Sequence, residues 1–263
     1  MSILTLLQLV PLVGALALFF VPRANVNFIK QFALAISLIN LALSAKMALG
    51  YDRSTAGLQF VESRAWIKPF GVNYAVGVDG IALVLILMTT VLVPIVLLAS
   101  WNESEGGRWS SRTYYMLILD LETMMVGVFA ATDVFLFYVI FEAMLIPVYF
   151  LIGGYGRGER AQAAMKFLLY SLLGGLLMLG AVIGIFIIAV NQVGPTFDVS
   201  TLSKLVIDKP TQNWLFLGFF AAFAIKAPLW PLHTWLPTAA KSATPATSVL
   251  LLGVLDKVGT YGM

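Results

Sequence analysis

Apolar segments as long as a bilayer is thick recur along the whole chain, and this more than anything limits what it can fold into. There are about eight of them: Ile3–Val21, Phe28–Leu49, Ile81–Ser100, Tyr114–Ala131, Val134–Ile152, Ala164–Val190, Trp214–Leu236 and Ala246–Met263. About 20 apolar residues span the hydrocarbon as a helix. Inside a bilayer, backbone polar groups must be satisfied within the segment, which leaves helices as the solution for runs like these. The predicted fold class is all-α, a polytopic transmembrane bundle of about eight helices joined mostly by short links. Composition agrees: 60% of the 263 residues are hydrophobic and 11% charged, against about 25% charged in soluble domains, and mean hydropathy is +0.93. Ile3–Val21 lacks the basic start and cleavage site of a secretion signal, so it reads as a true span.

Composition also removes chemistry. The chain has no Cys and a single His, His233. Thiolate iron–sulfur clusters, Cys-ligated zinc, disulfides and paired-haem ligation are therefore closed to it. The net charge of +3 is small and sits mostly in links, a pattern of membrane topology and not of nucleic-acid binding. Gly153–Gly158, GGYGRG, is a polar turn and does not complete a dinucleotide-binding G-x-G-x-x-G. No P-loop occurs, and no motif for holding NADH, flavin or ATP.

Basic residues orient the bundle. Arg23 and Lys30, then Arg108 and Arg112, then Arg157, Arg160 and Lys166, then Lys241 occupy one set of links. Arg53, Arg64 and Lys68, then Lys204 and Lys209, with Lys46, occupy the other. Long loops weigh less, so the first set is expected in the cytoplasm and the N-terminus outside. The long link, Gly50–Gly80, contains LQFVES and YAVGV, which alternate enough for a small hairpin. Asp79 is placed to cap the third helix, and Thr132 and Asp133 to cap the fifth. The last segment has about 18 residues and no closing anchor, so the chain is expected to stop inside a helix and to be part of a longer one.

Charges within the spans carry the functional signal, because an ionised group at mid-bilayer is costly. Glu142, in FEAMLIPVYFLIG (Phe141–Gly153), lies mid-segment. Pro147 cannot donate to the Ala143 carbonyl, so loosened backbone opens beside the acid. Lys226, in AFAIKAPLWPLHTWLP (Ala222–Pro237), is followed by Pro228, Pro231 and Pro237, which must break the helix just after the lysine. Such a break is tolerated only against protein or a water-filled cavity. A buried ammonium is favoured by a nearby carboxylate and loses its proton more easily without one. A lysine with a movable acid is thus a workable proton switch; a static Glu–Lys pair locking two helices is the competing reading. Lys257 is also near mid-membrane. Asp256 lies about 100° round the helix from it, so the two need not pair. Lys46 and Lys166 are near helix ends, where a long stem reaches the interface. Asp120 and Glu122 are about 200° apart, so at most one faces a given interior. His233 is either a proton relay or a hydrogen-bonded structural residue. Gly180 and Gly184 form a G-x-x-x-G pair expected to pack helices, and Gly253, Gly259 and Gly262 allow close approach.

Taken together, FEAMLIPVYFLIG, AMKFLLYSLLGGLLML, AFAIKAPLWPLHTWLP, SVLLLGVLDKVGTYG and GVDGIALVLILMT resemble the M-type (chain 4) antiporter-like subunits of proton-translocating NADH–quinone oxidoreductase, respiratory complex I. VLDKVGTYG and ATPATS resemble the actinobacterial branch. The resemblance runs from about Gly77 to the end. It implies the N-terminal part of a 14-helix subunit. Residues 1–112 would be helices 1–3 with an extracytoplasmic loop at 50–80. Residues 113–263 would be the proton-translocating repeat, helices 4–8, with the seventh broken and the eighth cut short. It implies that Glu142 is the proton-path glutamate of helix five, that Lys226 is the broken-helix lysine with which it pairs, and that Lys257 is the relay lysine of helix eight. It also implies that Glu122 is the acid of helix four, His233 the histidine before TWLP, and Lys166 the lysine opening helix six. Thr238, Ala239 and Ala240 stand where many members carry Asp-Ala-His, Lys241 where several carry an acid or a neutral residue, and Asp256 where many are apolar.

The function implied is proton translocation coupled to electron transfer from NADH to quinone, with no redox centre in this chain. FMN, iron–sulfur clusters and quinone would belong to other subunits, and L-type and N-type antiporter-like subunits and lipid would be the neighbours. The location implied is a bacterial plasma membrane. A multisubunit sodium/proton antiporter subunit, the membrane arm of a hydrogenase and a scaffold with static ion pairs are the alternatives.

Overall fold

The computed structural model describes residues 2–55 and 57–263. Helices α1 (Ile3–Phe20), α2 (Val26–Leu49), α3 (Gly80–Ala99) and α4 (Ser111–Ala130) pack side by side. The fifth segment is divided into α5 (Val134–Ala143) and α6 (Leu145–Tyr155), and α7 (Arg160–Gln192) runs unbroken for 33 residues. A short α8 (Val199–Leu202) precedes α9 (Lys209–Lys226). Then come α10 (Trp235–Ser242), α11 (Pro245–Leu250), a π-helical turn over Leu251–Leu255, and α12 (Asp256–Gly262). Among the described residues six helices, counting α5 and α6 as one, are long and apolar enough to cross a membrane. The seventh segment's helix, α9, is 18 residues long but opens on the polar run Lys209–Asn213, and the eighth is interrupted before it reaches that length. The prolines after Lys226 stop α9, and the π turn interrupts the eighth.

Caps set several of the boundaries. Asp79 Oδ1 accepts from Ala82 N at 2.7 Å, and Asp133 Oδ1 accepts from Phe135 N and Leu136 N at 3.0 Å each, as the sequence led one to expect. Ser110 caps α4, so that helix starts at Ser111, three residues before the apolar run. Thr244 caps α11 with Pro245 as its first residue.

The long link folds into an antiparallel hairpin of β1 (Gln59–Ile67) and β2 (Val72–Val78), longer than the alternation alone indicates. Its register pairs Glu62 with Val76 and Ala65 with Asn73, with irregularities on either side. The turn needs Gly71, at φ +65°, because a Cβ there would collide with the Pro195 carbonyl. β2 lies on one end of the bundle: Asn73 N donates to Asp133 Oδ2 at 3.0 Å and Thr132 N to Ala75 O at 2.9 Å. Glu62 ties the hairpin to the N-terminus, accepting from Thr5 Oγ1 at 2.6 Å and Ser2 N at 2.7 Å. The hydrogen bonds of Thr5 and Ser2 hold its carboxyl down at about 2.

The opposite end gathers the other set of basic residues. Lys30, 2% exposed, donates to Glu105 Oε1 at 2.7 Å and Asn102 Oδ1 at 3.0 Å. Arg112 donates to the carbonyls of Phe19 and Val21 at 2.9 and 3.1 Å, and Arg157 N to Ser242 O at 2.6 Å. The two sets of basic residues thus separate to the two ends of the bundle.

The G-x-x-x-G expectation holds for one of its two glycines. A Cβ on Gly180 would meet nothing, but one on Gly184 would stand 2.8 Å from Leu215 of α9. Contact between α7 and α9 runs also through Gly174 against Ala222 and Gly218 against Ala181. The helix face that packs is selected by the partner, which spacing alone does not reveal.

Candidate functional site

Two helix breaks meet in the interior. Glu142 sits in the last turn of α5, immediately before the interruption at Met144. Its carboxylate lies over Gly175 of α7, in the space a Cβ would fill. Oε1 is buried without a hydrogen-bond partner. Lys226 is the last residue of α9 and is 1% exposed. Its Nζ also has no hydrogen-bond partner. Instead it lies 4.7 Å from the centre of the Phe141 ring and 6.0 Å from that of Phe167. Ring faces attract an ammonium, strongly so when water is excluded.

The implied Glu142–Lys226 ion pair is not made. Among the described residues the ion pairs are Lys30–Glu105, Arg64–Glu62 and Lys257–Asp256. The physical reason is that each group has another resting place, Glu142 over Gly175 and Lys226 against the rings. The same helical turn, Phe141–Glu142, presents both the ring and the acid.

The break after Lys226 is chemically satisfied. Pro228 cannot donate to the Ala224 carbonyl, which accepts from Leu229 N at 2.8 Å instead. The Ile225 carbonyl accepts from the Trp235 indole at 2.8 Å. Lys166 donates to Thr234 O at 2.8 Å and to Thr238 Oγ1 at 3.2 Å, and Tyr170 Oη and Thr234 Oγ1 are 2.9 Å apart. Lys166 therefore anchors the non-helical stretch to α7. His233 lies in that stretch, with Nδ1 buried and unpartnered.

Helix α12 crosses the end of α9 where Gly259 meets Ala227 N and the Phe223 carbonyl, which brings the helix bearing Lys257 up to the break. Lys257 is half-exposed and bonds Asp256 at 2.9 Å. Neighbours about 100° apart do meet here: Asp256 follows directly on the π turn, and the lysine stem folds back to it. Glu122, fully buried on α4, has different company. Its Oε1 accepts from Asn40 Nδ2 of α2 at 2.8 Å.

Sequence reasoning missed Asn40, Gly175 and Ser171. Asn40 is a lone amide in an apolar run. Gly175 forms half of a Gly-Gly step in the middle of α7. Ser171 is one turn before it, with Oγ buried and unpartnered. An amide or hydroxyl inside a span is as costly unpaired as anywhere in an apolar interior, and that was the available signal.

Comparison with known proteins follows the same lines. A family model described as NADH:quinone oxidoreductase/Mrp antiporter, transmembrane, matches residues 131–263. NADH-quinone oxidoreductase subunit M of Mycobacterium tuberculosis is 44% identical across 99% of this chain and 53% of its own length. F(420)H(2) dehydrogenase subunit M of Methanosarcina mazei is 37% identical across 100% of this chain and 52% of its own. Respiratory complex I from Thermus thermophilus with bound NADH contains a chain that superposes with a TM-score of 0.83 at 32% identity, over 98% of this chain and 51% of that one. The chain thus spans about half the length of the curated relatives it matches. It belongs to the NADH:quinone oxidoreductase/Mrp antiporter transmembrane family.

Proposed function

We propose that this chain is the proton-handling part of an M-type membrane-arm subunit of an NADH–quinone oxidoreductase. One observation carries the reading: Glu142 and Lys226 are opposite charges inside the bundle, each unpartnered and each at a helix break. Two such groups are unfavourable as they stand and become favourable on meeting. When the carboxylate swings from Gly175 to the ammonium, the proton on Lys226 is held. When it swings back, the proton is released more readily and passes toward Lys257, whose helix crosses the break at Gly259. Lys166 and Thr234 hold the backbone around which this occurs, and His233 is positioned in the same stretch for relay.

In this reading electron transfer takes place in other subunits, which carry FMN, iron–sulfur clusters and quinone, and reaches this chain through L-type and N-type neighbours. The membrane is a bacterial plasma membrane, with the hairpin and N-terminus outside; separation of the basic residues to opposite ends supports this. In the assembled complex, Glu142→Ala should abolish or sharply reduce proton pumping while NADH oxidation with an artificial acceptor persists. Full pumping in that variant would overturn the reading. The family description also names Mrp antiporters, so a subunit of a cation/proton antiporter is the second reading. Copurification with flavin and iron–sulfur subunits separates the two.

A further inference from the structure

Glu122 is 0% exposed, on a face of α4 that meets α2. One bond joins it to Asn40, Nδ2 to Oε1 at 2.8 Å. The other end of each group is orphaned: Glu122 Oε2 and Asn40 Oδ1 are both buried without partners. Both are acceptors when the carboxylate is ionised, so neither can satisfy the other. Turning the amide over would set Oδ1 against Oε1 and again leave two acceptors facing.

Among the described residues, none donates to either orphaned atom. The buried hydroxyls of this seam have used their protons. Ser37 donates to Leu34 O, Ser44 to Leu41 O or to Thr90, Thr90 to Leu87 O, and Thr89 to Leu85 O. Among the described residues, no cation on an element packed against α2 or α4 is free either. Lys30 holds Glu105, Arg112 holds the Phe19 and Val21 carbonyls, Lys257 holds Asp256, and Lys46 is exposed. The remaining charges on the packed elements, Glu103, Asp120 and Glu142, are acids. An ionised carboxylate with one hydrogen bond and no cation in an apolar interior is strongly disfavoured.

A single proton resolves the whole arrangement. A carboxylic acid and a primary amide offer matching two-atom edges, each with one donor and one acceptor. We infer that Glu122 and Asn40 form a neutral acid–amide clamp between α2 and α4, Glu122 Oε2–H donating to Asn40 Oδ1 while Asn40 Nδ2–H donates to Glu122 Oε1. The clamp lies outside the Glu142–Lys226 pathway proposed above and stands independently of it. Its role is positional: it pins α4, whose Phe129 carbonyl accepts from Tyr261 of α12 at 3.1 Å.

Infrared spectroscopy of the membrane-embedded protein tests this directly. The wild-type minus Glu122→Gln difference spectrum should show loss of a protonated-carboxyl C=O band. Loss of a carboxylate band instead, as with an ionised Glu122 bridged to Asn40 by water, overturns the clamp. A second readout follows from geometry. Gln donates through Nε2 and accepts through Oε1, so Glu122→Gln should keep assembly and pumping, whereas Glu122→Leu and Asn40→Leu should lose assembly. Loss of pumping in Glu122→Gln with assembly intact would make Glu122 a proton carrier and overturn the proposal.

Discussion

At the scale of single residues, what distinguishes this interior is polar groups that lack partners. Glu142 Oε1, Lys226 Nζ, His233 Nδ1 and Ser171 Oγ are all buried and unbonded. Native interiors satisfy most such atoms, and exceptions call for a reason; here four of them lie on the α5–α7–α9 side of the bundle that carries the helix breaks. Gly175 is the residue that makes the arrangement sterically possible, because its missing Cβ is where the Glu142 carboxylate rests. Gly175→Ala is therefore expected to displace Glu142 without altering any charge. Pumping in the assembled complex should fall toward that of Glu142→Ala while the amount of assembled complex holds. Pumping at wild-type level would show that the carboxylate does not need that position.

At the scale of elements, the broken seventh helix is the informative one. Its disruption was legible in Pro228, Pro231 and Pro237, since the physics of a missing N–H is local. Its repair was not. The Ile225 carbonyl is satisfied by an indole ten residues on, and Lys166 reaches across from α7 to Thr234; both are contacts that only folding creates. Removing the indole donor by Trp235→Phe leaves a buried carbonyl unpaired and should cost about 1–3 kcal/mol. Thermal unfolding of the protein in lipid nanodiscs would read this as a lowered midpoint. Trp230→Phe is the matched control, because Trp230 is 85% exposed, and its midpoint should not move.

For the whole molecule, the separation of basic residues gives a topology that can be measured. These 263 residues contain no cysteine, so labelling of an introduced cysteine is read as the increase over the parent protein. With a membrane-impermeant maleimide on intact cells, Ser54→Cys in the hairpin link should label and Glu159→Cys should label only after permeabilisation. The reverse pattern would invert the proposed orientation, although the fold would stand.

The membrane bundle, the hairpin link, the caps at Asp79 and Asp133 and the break after Lys226 could all be read from the chain itself. Each depends on segment length, local alternation or a missing donor, properties that neighbours along the chain determine. Pairing was different. Glu142 and Lys226 stand apart, Lys257 turns to Asp256, Glu122 joins Asn40, and the close helix contact runs through Gly174, Gly184 and Gly218 but not Gly180. Sequence shows which residues must be buried, because burial follows from apolar length. Which buried groups meet depends on how helices rotate and cross, and that is settled by side-chain packing between segments far apart in the chain.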